Sequence, residues 1–305
     1  MEHIREEGRK MIIGIDIGGT NVRYGAVDKD NNVFDLIKRS SSEVFSGGTE
    51  SFVDSVGSYI RDNGIDAEAV SIGLPSIIDR DKRKVLSTAN ISCLQDVPLA
   101  SMMESYTGVP CFLNHDVKNL LEYDIDHFDI PVKDREIIGF YVGTGFGTVF
   151  CIDGRFLKGM NGGAGEMGHM PYPGNERICG CGKKGCVETI AAGRYLSEIK
   201  DKYYKGESFS DLFTRHSEDS IIINFIENMA FPIATAVSIF DPDCIVLGGG
   251  VIQTEGFPKK VLEAKIRGMV RSPLPSETLV FRYSPAGQEN GIIGAALYAR
   301  KQLGL

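Results

Sequence analysis

The 305-residue chain is short of basic charge: 33 lysines and arginines stand against 41 aspartates and glutamates, a net charge of −8. Bulk electrostatics therefore gives no support to a nucleic-acid partner. No apolar run approaches the length of a transmembrane helix, and the opening MEHIREEGRK has neither the apolar core nor the cleavage site of a signal peptide. A cytoplasmic protein without a membrane partner is expected. Cysteine is sparse outside one cluster, with Cys93, Cys111, Cys151 and Cys244 scattered in apolar contexts as reduced packing thiols would be. Neither GxxxxGK[ST] nor an early GxGxxG before a helix occurs, which argues against P-loop and dinucleotide-binding folds.

What is present centres on Gly165 to Glu188, GEMGHMPYPGNERICGCGKKGCVE. Cys179, Cys181 and Cys186 are spaced C-x-C-x4-C with Gly180, Gly182 and Gly185 between them, and His169 is the nearest imidazole in sequence. Three thiolates and one imidazole make a closed tetrahedral zinc set. The alternative is ordinary buried thiols or a disulfide, yet three cysteines in eight residues among glycines and lysines do not resemble a core stripe. With no open ligand position and no HExxH-type base the ion would be structural. It would hold Glu166, His169 and Glu188 in place.

From Met11 the pattern is MIIGIDIGGT, NVRYGAV and VFDLIKRS, three short strands joined by turn residues. A helix follows over 49–63, then a strand at AVSIGLPS, a helix over 98–107, a strand at VPCFLNHD and a helix over 117–128. The second half repeats the opening with EIIGFYVGTG, FGTVFCID and GRFLKG. After the cysteine stretch come helices near 188–202 and 221–240, the latter interrupted by Pro232, then the strand DCIVLGG, a helix over 258–270, the strand TLVFRY and a closing helix. Two halves with one succession, β-β-β-α-β-α-β-α, imply a duplicated architecture with a cleft between two lobes.

Three glycine-rich turns follow strands: Asp16-Ile17-Gly18-Gly19-Thr20, Gly143-Thr144-Gly145-Phe146-Gly147-Thr148 and Gly248-Gly249-Gly250. Any one could simply close a hairpin. Three at matching points of two repeated halves fit polyphosphate binding by backbone N–H groups, with Asp16 facing a magnesium ion. Asp116 stands where the strand 109–113 gives way to a helix, as a general base for phosphoryl transfer would, or as an N-cap.

DIGGT, GTGFGT, GEMGH at 165–169, CGCGKKGCVE at 179–188 and FDPDCIVLGGGVI at 240–252 together resemble the ROK family of sugar kinases and regulators, from about Met11 to Ala299. The resemblance implies an α/β, two-lobed actin-like ATPase (ribonuclease H-like) fold with a structural zinc loop. One lobe would comprise 1–117 completed by the helix 291–305, and the other 118–290. The family's motifs imply that DIGGT (Asp16, Gly18, Gly19, Thr20) and GTGFGT (Gly143, Thr144, Gly145, Gly147) hold the phosphates of ATP with Mg2+. Gly248, Gly249 and Gly250 would lie on the adenosine side. Asp116 matches the catalytic base, Asn90, Glu166, His169 and Glu188 match sugar ligands, and His169 doubles as a zinc ligand with the three cysteines. A homodimer is implied too.

Two departures bear on the substrate. His115 stands where most family kinases have an asparagine before the catalytic aspartate, and Lys118 replaces another common asparagine. An imidazole changes which hydroxyl stereochemistry fits, so glucose becomes a poorer candidate. DKRKVLSTANI at 81–91, the segment 240–260 and RSPLP at 271–275 resemble the D-allose kinase branch. The expected reaction is ATP-dependent phosphorylation of a hexose at O6, D-allose first, with glucose, mannose, fructose, N-acetylmannosamine or a β-glucoside as alternatives. Only 15 residues precede Asp16, too few for the helix-turn-helix of the family's regulators, and a non-catalytic sugar-binding role would not need all three turns and Asp116.

Overall fold

The computed structural model describes residues 10–88 and 91–305. Asn90, expected to contact a sugar, lies outside them. The chain forms two units: the first runs to Ile130 and includes Lys158–Gly163 and Gly287–Leu305, and the second comprises Pro131–Leu157 and Ala164–Ala286.

In the first unit β1 (Met11–Ile17), β2 (Asn21–Val27) and β3 (Val33–Ser40) form an antiparallel meander. To it β4 (Ala67–Leu74) and then, beyond a ribbon of β5 (Ser76–Ile78) and β6 (Val85–Thr88), β7 (Cys111–His115) add in parallel, in the order β3-β2-β1-β4-β7. The near-continuous apolar run of β1 reflects cover on both faces. Met11, Ile13, Ile15 and Ile17 pack in one core with Phe52, Val53 and Val56 of helix Thr49–Asp62. Ile12 points the other way, to Ile292, Ala296 and Ala299 of helix Asn290–Leu303. Strand β3 lies at the edge and is largely exposed, its Lys38 and Arg39 blunting further pairing.

The second unit repeats this order: β8 (Glu136–Val142), β9 (Phe146–Ile152) and β10 (Arg155–Phe156) are antiparallel, and β11 (Cys244–Gly248) and β12 (Val280–Tyr283) add in parallel, as β10-β9-β8-β11-β12. The two sheets are thus wound alike.

Several expectations need correction. The boundary at 117 would sever helix Asp116–His127 from its partner, because that helix packs on helix Asn290–Leu303 so tightly that a Cβ on Gly294 would lie 1.8 Å from the Asn119 carbonyl oxygen. The boundary falls instead at Ile130. The third strand of the second half shrinks to two residues, and the β5–β6 ribbon was not foreseen. Among the described residues one helix, Ser220–Phe240, is long and apolar enough to cross a membrane by length and composition. Its Ile222, Phe225, Ile226, Met229, Ile233 and Val237 are buried in the core of the second unit, which accounts for that composition. The helix is assigned without a break through Pro232.

Candidate active site

In the first unit the register Asp16↔Gly73↔Asn114 places Asp16 beside the carboxyl ends of three parallel strands, where open α/β sheets bind ligands. One residue on, Leu74 pairs with His115. The chain then enters helix Asp116–His127, so Asp116 is its first residue and not its cap. The N-cap position belongs to His115, which makes no side-chain capping bond. Asp116 Oδ1 accepts from the Val117 N–H at 2.8 Å. The acidic side chain sits in the first turn of a twelve-residue helix, at its positive end.

Asp16 is partly buried; Arg23 Nη1 lies 3.3 Å from its Oδ2, and a Cβ on Gly291 would come within 2.8 Å of its Cγ. Burial pushes the Asp16 carboxyl upward and Arg23 opposes the shift. A partly buried carboxylate of this kind fits a divalent cation, which would favour its charge. The turn after it closes the β1–β2 hairpin, with the Gly18 N–H donating to Asn21 O at 2.8 Å and Ser41 Oγ to Gly18 O at 2.9 Å; Gly19 and Thr20 are exposed.

In the second unit the Gly143–Gly145 turn closes the β8–β9 hairpin and accepts from the first N–H groups of helix Gly193–Tyr203, Gly193 to Gly143 O at 2.8 Å and Arg194 to Thr144 O at 3.2 Å. Gly147 follows within β9, paired with Tyr141. Gly249, at φ +90°, runs so close to Val142 that a Cβ would meet its backbone at 2.6 Å. Gly248 ends β11, and open space surrounds the Cβ position of Gly250. The second and third turns therefore converge within this unit.

The cysteine loop reaches the same turn. Glu188 Oε2 accepts from the Phe146 N–H at 3.0 Å, and a Cβ on Gly145 would strike that oxygen at 2.5 Å. The ligand atoms of His169, Cys179, Cys181 and Cys186 lie within 4.8 Å of one another. The Cys181 and Cys186 sulfurs are 3.6 Å apart, and Cys179 Sγ is 3.5 Å from His169 Nδ1. Zn–S bonds of about 2.3 Å in a tetrahedron put sulfurs about 3.8 Å apart, so the four groups could hold a zinc ion. His169 Nδ1 faces the sulfurs while Nε2 faces Glu166, whose Oε2 is 3.8 Å away, outside hydrogen-bond distance. Backbone hydrogen bonds within the loop, Cys179 N–H to Lys183 O and Gly182 N–H to Cys179 O, add to its fixed shape.

Sequence reasoning passed over Arg23 and Lys82. Lys82 Nζ donates to Asn114 Oδ1 at 2.7 Å and to Tyr298 OH at 3.0 Å, and the Asn114 Nδ2 donates to Asn119 Oδ1 at 2.7 Å. Lys82, Lys118, Lys158 and His115 line one pocket of about 260 Å3. Burial foremost, then Lys118 and Lys82, push the His115 imidazole down to about 4. The ring is neutral near pH 7. DKRK offered charge but no sign of where it would point.

Residues 12–302 match the ROK family. A glucokinase of Thermotoga maritima is 26% identical over 96% of this chain and 98% of its own, and an N-acetylmannosamine kinase of Salmonella heidelberg is 27% identical over 94% and 98%. The crystal structure of a ROK family glucokinase from Streptomyces griseus in complex with glucose and AMPPNP superposes with a TM-score of 0.79 at 24% identity, covering 95% of this chain and 99% of that one. With nearly its whole length matched, and with the glycine turns and cysteine loop placed as described, the chain belongs to the ROK family.

Proposed function

We propose that this protein is an ATP-dependent sugar kinase that phosphorylates a hexose at O6, with D-allose as the substrate. The observation that carries the reading is Asp116, a carboxylate held at the start of a helix beside the carboxyl ends of the first sheet. Asp116 accepts the proton of the attacking hydroxyl as the γ-phosphoryl group transfers, a step that needs positioning more than covalent chemistry. Gly143–Gly145, Gly18–Thr20 and Gly248–Gly250 offer backbone N–H groups to the nucleotide, and Asp16 helps to place the Mg2+ that neutralises its phosphates when bound. Glu166 lies beside His169, and the cysteine loop keeps Glu188 against the Gly143–Gly145 turn. Glu166, His169 and Glu188, together with Asn90 and His115, are the sugar contacts implied by the family motifs. By the same resemblance the protein is a cytoplasmic homodimer.

The choice of allose rests on the segments 81–91, 240–260 and 271–275 and on His115. Named relatives act on glucose and on N-acetylmannosamine, which makes those sugars the competing substrates. Initial rates of ADP formation with Mg-ATP across allose, glucose, mannose, fructose, N-acetylmannosamine and a β-glucoside decide between them. A kcat/KM preference for allose is expected. Preference for another sugar removes allose and keeps the mechanism, and silence on every sugar from folded, zinc-loaded protein removes the kinase reading.

A further inference from the structure

Asn119 is only 1% exposed and lies one turn after Asp116 in helix Asp116–His127, on the same face. Its Nδ2 has no hydrogen-bond partner among the described residues, although a buried N–H is rarely left without one. That donor lies beside Gly73, where a Cβ would come within 2.5 Å of Asn119 Nδ2 and 3.4 Å of Asp116 Cα. Glycine at this place in β4 lets both the amide and the first turn of the helix approach the strand.

A chain of hydrogen bonds fixes which way the amide faces. Lys82 Nζ donates to Asn114 Oδ1 and to Tyr298 OH, and an ammonium can only donate, so Asn114 must present its oxygen to Lys82. Asn114 Nδ2 is left to donate to Asn119 Oδ1, which turns Asn119 Nδ2 to the side of Gly73. Reversing the Asn114 amide would set donor against donor and oxygen against oxygen. The sheet holds the middle of the chain, since Asn114 is buried and pairs in register with Gly73. The far end is held as well: the Lys82 N–H donates to Asp79 O at 3.0 Å, and its ammonium lies 4.4 Å from the centre of the Tyr298 ring. Packing alone would be served by an apolar pair at 114 and 119, which strands no donor.

We propose that Asn119 is a positioning residue for Asp116, its amide set by Lys82 through Asn114, and that it seats the first turn of the helix on β4 and so fixes where the carboxylate meets the attacking hydroxyl. The proposal rests on the kinase reading, because Asp116 is a base only in that scheme. No bond is made or broken along the chain. Its effect is on geometry, where a small displacement of a reacting group is costly.

The test is steady-state kinetics of the zinc-loaded full chain below pH 7, where the Lys82 ammonium holds its charge, on the hexose that the natural protein phosphorylates fastest. Asn119→Leu, Lys82→Met and the double variant are compared, with melting curves to establish that each is folded. Lys82→Met acts from the far end of the chain, so the proposal stays testable if the buried Asn119→Leu does not fold. A fall in kcat of about tenfold in each single variant is expected, with KM for sugar and ATP within about twofold of the natural values. The double variant should be no slower than the slower single one, because both act through one chain. Lys82→Arg, which can still donate to Asn114, should recover most of the turnover. Natural kcat in folded Lys82→Met and Asn119→Leu, losses that multiply in the double variant, or losses carried by KM overturn the proposal and leave the kinase reading standing. A natural protein that phosphorylates no sugar removes both.

Discussion

Asp116 and His115 are adjacent in the chain but meet different surroundings. The carboxylate lies in the first turn of a helix, while burial and lysines keep the imidazole neutral. Asp116→Asn is expected to lower kcat by about 10²–10⁴ with folding and sugar binding retained; near-normal turnover would remove it as the base. His115→Asn should raise kcat/KM for glucose relative to allose, and an unmoved ratio would clear that residue of a role in selection. Lys82 yields a stability prediction. Its folded value of about 7 lies below the usual lysine value of about 10.4, so between those limits the unfolded chain holds more protons. Stability contributed by this group therefore rises as pH climbs from 7 toward 10, and it is flat below 7, where both states are charged. Urea midpoints measured from pH 6 to 9 should rise more for the natural protein than for Lys82→Met, and parallel curves would contradict the assignment.

At the scale of elements, the cysteine loop and the closing helix hold the two units by different means. Cys181 is the exposed member of the candidate zinc ligand set, so Cys181→Ser changes little packing. It should nonetheless abolish stoichiometric zinc in metal analysis and lower the melting temperature, whereas undiminished zinc would refute the four-ligand set. The closing helix depends on contact distance instead. With the Asn119 carbonyl where a Cβ on Gly294 would be, Gly294→Val must force the two helices apart, at a cost of about 3 kcal/mol read from denaturant midpoints. An unchanged midpoint would show that the helices can separate freely.

For the whole molecule, the two units have separate cores, and among the described residues the one group of side chains that could hold a metal ion, His169, Cys179, Cys181 and Cys186, lies in the second unit. Chelation followed by hydrogen exchange should deprotect residues around 165–191 and helix Gly193–Tyr203 while β1, β4 and β7 stay protected. Uniform loss of protection would mean that the units unfold as one.

The sequence by itself determined what is local or periodic. Glycines between cysteines announced a loop that could hold a metal ion, the apolar run of β1 announced a strand, and the repeated succession of elements announced two halves with one order. Tertiary structure alone decided what depends on distant partners. Lys82 meets Tyr298 across 216 positions, Glu188 caps a turn 42 residues earlier, and helix Asp116–His127 belongs with the chain's last helix, not with the segment that follows it. The apolar face of Ser220–Phe240 likewise cannot be told from a membrane span by composition, since burial in a protein core and burial in lipid ask for the same side chains. Residue types and spacing report the chemistry that a segment can supply. Which groups share one pocket, and so which charges must be answered there, follows only from long-range packing.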